Sequence, residues 1–255
     1  MLRYDVNPPR GTITIDDPER RNPLSNAVMS DIADLIDAAA KDPSVRVIVI
    51  TGTGSQAFSA GGDLSGGFVE NPIADHDQRG SLGRLLRSLR TCGKPTVARV
   101  NGHALAGGFG LAAACDIVVA VKDATFGTPE IKVGLWPMMI TAVLQRVMPH
   151  KAALELMMTG RRITAEEAQR LGVVSRVVRR SELDEAVDLV VAGLAAASPA
   201  VLRLGRDAFY AVEDSDFESA VAQLHVGLTS VAATEDAAEG VTAFLEKRRP
   251  EWRGR

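Results

Sequence analysis

The stretch Val100-Asn101-Gly102-His103-Ala104-Leu105-Ala106-Gly107-Gly108-Phe109-Gly110-Leu111 joins an apolar, β-like run at residues 96–100 to a strong helix former at residues 111–114. A glycine-rich turn that opens a helix leaves the first backbone amides without partners and lets a ligand come close, because no Cβ stands in the way. Such amides favour an oxygen that is becoming negative. Since a single Gly-Gly pair is weak evidence, the interpretation depends on finding a second turn of this kind.

A second glycine turn lies at residues 57–64, Ala-Phe-Ser-Ala-Gly-Gly-Asp-Leu, and follows the β-branched run at residues 45–51. A nearly continuous apolar run is typical of a strand buried on both faces. Strands at 11–15, 45–51, 96–100 and 117–121, alternating with helices at 26–41 and 81–91, predict parallel strands joined by crossovers. Because ligands bind outside the carboxyl ends of such strands, the two turns are expected to aim their amides at one carbonyl oxygen.

The pattern changes beyond residue 122, and the chain is predicted to be α/β with a largely helical last third. An extended piece at 126–131 precedes predicted helices at 139–148, 151–158, 164–171, 181–197, 199–213, 216–232 and 234–247, with one strand at 173–178. We divide the chain into a core domain at residues 1–195 and a helical region at residues 196–255. Residues 65–80, rich in Gly, Asn, Pro and Asp, are predicted to form a mobile surface segment.

Composition excludes several classes of protein. The 255 residues are 46% hydrophobic and carry a net charge of −3, which argues against a general nucleic-acid or anionic-membrane surface. The cysteines, Cys92 and Cys115, form neither a disulfide framework nor a metal cluster, so we expect two buried thiols in a reducing compartment. No signal-peptide core and no apolar run of membrane-spanning length occurs, which predicts a cytoplasmic protein.

Several motifs together resemble the crotonase, or enoyl-CoA hydratase/isomerase, superfamily. They lie in the same order and at similar spacings along essentially the whole chain, at residues 58–64, 101–108, 114–117, 126–131, 156–160, 165–174 and 239–248. The resemblance implies a spiral of ββα units with a helical C-terminal region for trimerisation, often as a dimer of trimers. It also implies an acyl-CoA thioester as substrate, with no separate cofactor and no metal.

The resemblance further implies the roles of individual residues. The thioester oxygen would lie between the amides of Ala60 and Gly107. Arg21 and the loop through Gly61, Gly62 and Asp63 would lie along the CoA moiety, with Gly108 beside them. Phe244 and Lys247 resemble residues that hold the adenine end, either in the same subunit or in a neighbouring one.

The acid–base positions depart from the hydratase pattern of this family, in which two glutamates face the substrate. One position matches Glu130, whereas the other falls on Gly110, which has no side chain. A single base can move one proton between two carbons more readily than it can add water. This arrangement is similar to that of the Δ3,Δ2-enoyl-CoA isomerases, although 2-enoyl-CoA hydration stays a close second. Trp136 and Met138 add bulk where the acyl chain should pass, or they serve core packing.

Other functions stay open at this point. One is a different enolate reaction on a CoA thioester, such as decarboxylation or carbon–carbon cleavage. Another is a weakly catalytic CoA-binding scaffold, which the missing side chain at Gly110 would favour. One loop acid, among Glu70, Asp75 and Asp77, could also replace the missing glutamate.

Overall fold

The computed structural model describes residues 1–63, 70, 73 and 75–255. The strands in this part of the chain are β1 (Leu2–Asn7), β2 (Arg10–Ile15), β3 (Pro23–Leu24), β4 (Val47–Gly52), β5 (Ala57–Ser59), β6 (Gly61–Gly62), β7 (Thr96–Val100), β8 (His103–Leu105), β9 (Ile117–Val121), β10 (Thr125–Gly127), β11 (Arg162–Thr164) and β12 (Arg176–Val178).

The helices in the same described ranges are α1 (Asn26–Lys41), α2 (His76–Arg79), α3 (Ser81–Thr91), α4 (Gly107–Ala113), α5 (Met138–Val147), α6 (His150–Thr159), α7 (Ala165–Arg170), α8 (Leu183–Ala195), α9 (Pro199–Ala211), α10 (Phe217–Ala232) and α11 (Glu235–Glu246). Short 3₁₀ helices cover Pro129–Val133 and Arg180–Glu182.

The larger sheet has six strands in the order β1-β2-β4-β7-β9-β12. The β1–β2 pair is antiparallel, whereas every later pair is parallel, as the alternation of strands and helices predicts. The residues of β4 are all buried, which fits their β-branched sequence. The prediction of parallel strands joined by crossovers is confirmed.

The smaller sheet, in the order β11-β10-β8-β5, positions the candidate site. Its neighbours β5, β8 and β10 run parallel, so their carboxyl ends lie side by side at one edge. The glycines of the first turn, Gly107 and Gly108, come just after β8, and those of the second, Gly61 and Gly62, come just after β5. The 3₁₀ helix Pro129–Val133 comes just after β10. Sheet topology therefore brings three separate sequence motifs to the same edge.

The last helices are joined to the sheets through a network around Asp116. Its carboxylate accepts hydrogen bonds from the backbone and side chain of Thr96 at 2.7 and 2.9 Å. It also accepts from the Nε of Arg206 at 2.9 Å and from the hydroxyl of Tyr210 at 2.6 Å. Asp116 thus holds α9 against β7. The predicted boundary between residues 195 and 196 falls between α8 and α9, and it stays a prediction.

Several sequence expectations can be compared with these elements. Strands 96–100 and 117–121 and helices 26–41 and 81–91 are confirmed with their predicted bounds, and Ser25 accepts from the amide of Val28 as the N-cap of α1. The short strands β1 and β11 are absent from the prediction. Half of the proposed mobile segment at 65–80, namely residues 65–69, 71, 72 and 74, lies outside the described residues.

Two further observations concern the chain as a whole. Burial raises the pKa of both cysteine thiols, Cys92 and Cys115, and neither forms a disulfide. Among the described residues no single helix is both long and apolar enough to cross a membrane. One pair of helices, 180–195 and 199–211, has the length and composition of a membrane span when taken together, but the pair is sharply bent.

Candidate active site

The two glycine turns are in direct contact. Gly61 has a φ of 98°, and a Cβ built on it would lie 2.6 Å from the Cβ of Ala106 and 3.2 Å from the amide nitrogen of Gly107. Only glycine allows both this backbone conformation and this close approach. The expectation that the two turns meet at one end of the sheet is therefore met.

The amide of Ala60 does not point into the space between the turns. It donates to the carbonyl of Arg21 at 2.9 Å, so the chain itself uses this donor. The assignment of Ala60 as a donor to the thioester oxygen is therefore corrected. Its peptide is held by the unusual backbone of Arg21, which has a φ of 64° and turns its carbonyl towards the loop.

Gly62 provides the amide that faces the first turn. The amide of the next residue, Asp63, donates to the carbonyl of Leu24 at 3.1 Å, on the β3 side. Since successive amides of an extended strand point in opposite directions, the Gly62 amide points away from β3. A Cβ built on Gly107 would lie 3.8 Å from the Gly62 nitrogen, which places the two glycines face to face.

Gly107 is the first residue of α4, so its amide has no acceptor within the helix. The preceding residue, Ala106, has φ 49° and ψ −127°, a strained conformation for a residue with a side chain that costs on the order of 1–3 kcal/mol. The Ala106 amide donates to the carbonyl of Gly127 at 2.9 Å, which helps to hold this peptide in place. A Cβ built on Gly61 would lie 3.2 Å from the Gly107 nitrogen, so this amide lies where the two turns meet.

Glu130 lies in the first turn of the 3₁₀ helix that follows β10. Its Oε2 is buried and has no hydrogen-bond partner among the described residues. Burial raises the pKa of this carboxyl above its ordinary value. A buried carboxyl oxygen without a hydrogen-bond partner is unfavourable for stability, and groups of this kind are typical of proton-transfer sites.

The position of the missing second glutamate is filled by another side chain. A Cβ built on Gly110 would lie 2.1 Å from Cγ2 and 2.7 Å from Cβ of Ile140. Gly110 follows Gly107 by one turn of α4, and Ile140 on α5 is 1% exposed. The chain therefore has an apolar contact on this side of the site, where no side chain larger than hydrogen fits.

The remaining predicted residues near the two turns have different surroundings. The carboxylate of Asp63 accepts from Arg20 at 2.7 Å. Gly108 lets α4 pack on β5, since a Cβ there would lie 2.6 Å from the carbonyl oxygen of Ser59. Trp136 and Met138 follow the Glu130 helix and are 37% and 71% exposed.

Two predicted residues lie elsewhere in the chain. Phe244 is on α11 and is 81% exposed, and Lys247 caps that helix with a φ of 55°. Helix α11 packs against α9 and α10. Within one chain, this places Phe244 and Lys247 in the C-terminal helical region, apart from the edge that carries Glu130.

Alternative acids and ligands find limited support. Glu70 and Asp77 are exposed and Asp75 is half-buried, so their role as a replacement acid stays a prediction. His103, the first residue of β8, has its Nδ1 2.9 Å from the hydroxyl of Thr125. In the described ranges no group of His, Cys, Asp and Glu has the arrangement of a metal site.

Known proteins share this architecture along nearly the full chain. The family model for enoyl-CoA hydratase/isomerase matches residues 11–255. The chain belongs to the enoyl-CoA hydratase/isomerase family. It is therefore an acyl-CoA enzyme of the hydratase/isomerase type with the crotonase fold, as the motifs predict.

Individual relatives agree with this family. The chain is 36% identical over 248 residues to 2,3-dehydroadipyl-CoA hydratase of Escherichia coli K12, covering 95% of this chain and 94% of the relative. It is 40% identical over 220 residues to carnitinyl-CoA dehydratase of Salmonella heidelberg, covering 84% of each. The solved enoyl-CoA hydratase of Mycobacterium smegmatis superposes with a TM-score of 0.94 at 34% identity, covering 98% of both chains.

Sequence reasoning missed two features of the site. It chose Ala60 rather than Gly62, because amides two residues apart in a regular strand point the same way and the sequence does not show the positive φ of Gly61 that separates them. It also treated Gly110 as an empty position, because nothing in the sequence pairs it with Ile140. The first needs the hydrogen bond from Ala60 to Arg21 and the φ of 98° at Gly61, which breaks the alternation of amides, and the second needs the packing of α5 on α4.

Proposed function

We propose that this enzyme converts 3-enoyl-CoA thioesters to 2-enoyl-CoA thioesters, with Glu130 as the single acid and base. Its oxyanion hole consists of the amides of Gly62 and Gly107. The buried Oε2 of Glu130, left without a partner among the described residues, carries the proposal, because a carboxylate oxygen at this sheet edge with no partner is free to accept a substrate proton. Well-placed oxyanion donors contribute about 3–4 kcal/mol each to transition-state stability.

The reaction takes two proton transfers. The Glu130 carboxylate removes a proton from C2, and the electrons move into the thioester carbonyl, whose oxygen becomes negative. The Gly62 and Gly107 amides donate to that oxygen. Glu130 then returns the proton to C4, the double bond moves from C3–C4 to C2–C3, and the carbonyl is restored. The raised pKa of Glu130 makes it a stronger base than an exposed glutamate.

The Gly110 side of the site supports isomerisation over hydration. Addition of water needs a group that positions and activates a water beside C3. In this chain Ile140 lies at the place where a second carboxylate would be attached, and it offers no hydrogen bond. A single carboxylate that moves one proton fits these surroundings best.

Hydration of 2-enoyl-CoA is the second candidate. The names of the relatives favour it, since one is a 2,3-dehydroadipyl-CoA hydratase and another a carnitinyl-CoA dehydratase. In this case Glu130 alone activates the water and protonates C2. The two candidates differ in whether oxygen from solvent enters the product.

The same proposal extends to substrate binding. We propose that the pantetheine and phosphate portions of CoA lie along Arg21 and the loop through Asp63, and the acyl chain beside Trp136 and Met138. Their exposed apolar surface fits an apolar acyl chain. No cofactor beyond the CoA of the substrate takes part in either reaction.

We also propose assembly as a homotrimer, or as a dimer of trimers, through the C-terminal helices. Exposed apolar side chains cover these helices far beyond what single exposed residues explain. They are Phe209, Phe217, Val221, Leu224, Val226, Leu228, Val241, Phe244 and Leu245. Assembly would also give Phe244 and Lys247 a route to the adenine end of a CoA bound in a neighbouring subunit.

A direct assay separates these functions. The purified protein is incubated with 2-enoyl-CoA and 3-enoyl-CoA esters of several chain lengths, in water enriched in ¹⁸O, and products are identified by mass spectrometry. Isomerisation moves the double bond without a change in mass, whereas hydration adds one labelled water. Cleavage of the acyl chain would instead support another enolate reaction, and binding without turnover would support a scaffold.

A further inference from the structure

Helices α3 and α5 meet at the edge of the site. A Cβ built on Gly83 of α3 would lie 3.5 Å from the Sδ of Met139, near the start of α5. The residue before Gly83 reaches the first glycine turn, since the Cδ2 of Leu82 lies 3.9 Å from where a Cβ on Gly107 would be. The seam between α3 and α5, which starts at the Gly83–Met139 contact, therefore begins beside Gly107.

A single carboxylate joins the same two helices further along. Arg90 follows Gly83 by seven residues on α3, and Arg146 follows Met139 by seven residues on α5. Seven residues are two helical turns, or about 10 Å, and bring a side chain back to the same face. The Oε2 of Glu213, just after α9, accepts from the Nη1 of Arg90 and lies 3.2 Å from the Nε of Arg146. One oxygen thus links the two helices at the far end of the seam.

Helix α3 is also fixed at this end by α9. Arg206 donates to the carbonyl of Arg90 at 2.8 Å and to the carbonyl of Leu89. Arg90 in turn donates through its Nη2 to the carbonyl of Tyr210 at 2.6 Å. Arg206 thus satisfies carbonyls at the C-terminal end of α3, where a helix leaves its last carbonyls without intrahelical partners. The attachment of α3 to α9 therefore does not depend on Glu213.

Helix α5 is attached to the same region through Arg146. This arginine pairs with Glu213 and, at 2.8 Å, with Asp214. The side chain of Asp214 is 70% exposed, whereas that of Glu213 is 21% exposed. Ion pairs contribute less to stability when water surrounds them. The position of the end of α5 relative to α3 therefore depends more on Glu213 than on Asp214.

We infer that Glu213 is a positioning residue that holds the far end of the seam together and so limits the length of the acyl chain that the site accepts. The inference rests on the part of the proposed function that places the thioester oxygen at Gly107, where the seam begins. Helix geometry places Leu86 and Val143 on the turns between the two links, and both are half-buried.

An acyl chain that extends from Gly107 into the seam would contact the apolar side chains of Leu86 and Val143. It would then meet the bridge at Glu213, where the charged groups of Arg90 and Arg146 offer no apolar surface. Further methylene groups could be buried there only if the charges lost their partners, which is unfavourable. A loosened bridge should therefore favour longer chains.

Binding of saturated acyl-CoA esters, which cannot react, tests this role. Isothermal titration calorimetry gives the association constants of butyryl-CoA and decanoyl-CoA, and the decanoyl-to-butyryl ratio measures the preference for the longer chain. Glu213→Gln keeps the shape of the side chain but removes the charge that holds both arginines. We expect the ratio to rise at least about fivefold, as one to two further methylene groups gain an apolar contact.

Arg146→Leu breaks the same bridge from the α5 side. Leucine keeps apolar surface in place of the arginine stem but cannot pair with Glu213, so the ratio should rise to a similar extent. In the double variant with Glu213→Gln the ratio should rise no further, because both substitutions break one link. Effects that multiply in the double variant would contradict a shared link.

Asp214→Asn is the matched control. It removes the neighbouring carboxylate from Arg146 but leaves the Glu213 oxygen shared by Arg90 and Arg146. The ratio should stay within about twofold of the wild-type value, as expected for an exposed ion pair. An increase equal to that of Glu213→Gln would assign the effect to surface charge and overturn the inference.

The possible results distinguish this inference from the proposed function. If the wild type does not isomerise 3-enoyl-CoA esters but both bridge variants raise the ratio, the proposed reaction is wrong and the role of Glu213 stands. If the wild type isomerises them and Glu213→Gln lowers only the unfolding midpoint, Glu213 is merely stabilising and the proposed function stands. If the wild type binds neither ester, both are overturned.

Discussion

The site has two sides, one formed by Glu130 and the other by Gly110 with Ile140. They differ in their effect on the stability of the fold. On the Glu130 side a carboxyl oxygen is buried without a partner, which is unfavourable for stability. On the Gly110 side the side chains pack as tightly as in a protein core. Under the proposed function, Glu130 on one side carries out the proton transfers, and the packed apolar contact on the other side offers no group that takes part.

Removing the carboxylate of Glu130 is the strongest way to test this asymmetry. Glu130→Gln keeps the shape of the side chain but cannot accept a proton, so we expect kcat to fall by about 10²–10⁴-fold. Glu185→Gln, an exposed change on α8, is the matched control and should leave kcat unchanged. Steady-state kinetics on the preferred enoyl-CoA ester give both values. A fully active Glu130→Gln enzyme would show that Glu130 does not transfer the proton, and the proposed difference between the two sides would be wrong.

The sequence predicts this asymmetry only in part. The motif Thr128-Pro129-Glu130 predicts the acid, and Gly110 marks the absence of a second one. The burial of Oε2 and the packing of Ile140 depend on how α5 returns over α4, and no local pattern reports that contact. Local propensity and periodicity fix elements such as α1 and β7, whereas side-chain contacts between distant elements require coordinates.

The sequence likewise predicts the oxyanion donors only in part. Two glycine turns after parallel strands predict that amides converge, and the contact of Gly61 with Ala106 confirms that the turns meet. The sequence does not say which amide of each turn is free. The hydrogen bond from Ala60 to Arg21 removes one choice and leaves Gly62.

Deleting the Gly62 amide should have the next largest effect on kcat, since this amide stabilises the thioester oxygen whichever of the two reactions follows. Gly62→Pro removes the N–H, and the preceding Gly61 has no Cβ to clash with the proline ring. We expect kcat to fall by about 10²–10³-fold. Gly62→Ala keeps the N–H, and its Cβ has open space, so this control should stay within a few-fold of wild type. Equal activity of the two variants would rule out Gly62 as a donor.

The pH dependence of kcat sharpens the description of the Glu130 side. Burial raises the pKa of Glu130, and the carboxylate form is the base that starts the reaction. The rate should therefore rise with pH, with a midpoint above the value of about 4.3 for an exposed glutamate. Rates measured between pH 4 and pH 8 with a stable buffer series test this. A midpoint at or below the ordinary value would contradict the burial of the carboxyl.

The smallest expected effect is on stability. Because the folded-state pKa of Glu130 lies above its unfolded value, the folded protein holds this proton more tightly, and the carboxyl's contribution to stability falls as pH rises through that window. Glu130→Gln removes this loss, so at neutral pH it should raise the free energy of unfolding by about 1 kcal/mol. The gain should shrink towards zero below the unfolded pKa. Chemical denaturation at pH 4 and pH 7.5 measures both, and a less stable variant at neutral pH would contradict the prediction.

The central claim is that the amides of Gly62 and Gly107 hold the thioester oxygen while Glu130 alone acts on the substrate. A crystal structure with a saturated acyl-CoA bound, which cannot react, tests it most directly. We predict that the thioester oxygen lies within about 2.7–3.2 Å of both amide nitrogens, with a Glu130 carboxyl oxygen beside C2. A thioester oxygen bound away from either amide, or a second carboxylate in contact with C3, would contradict the account.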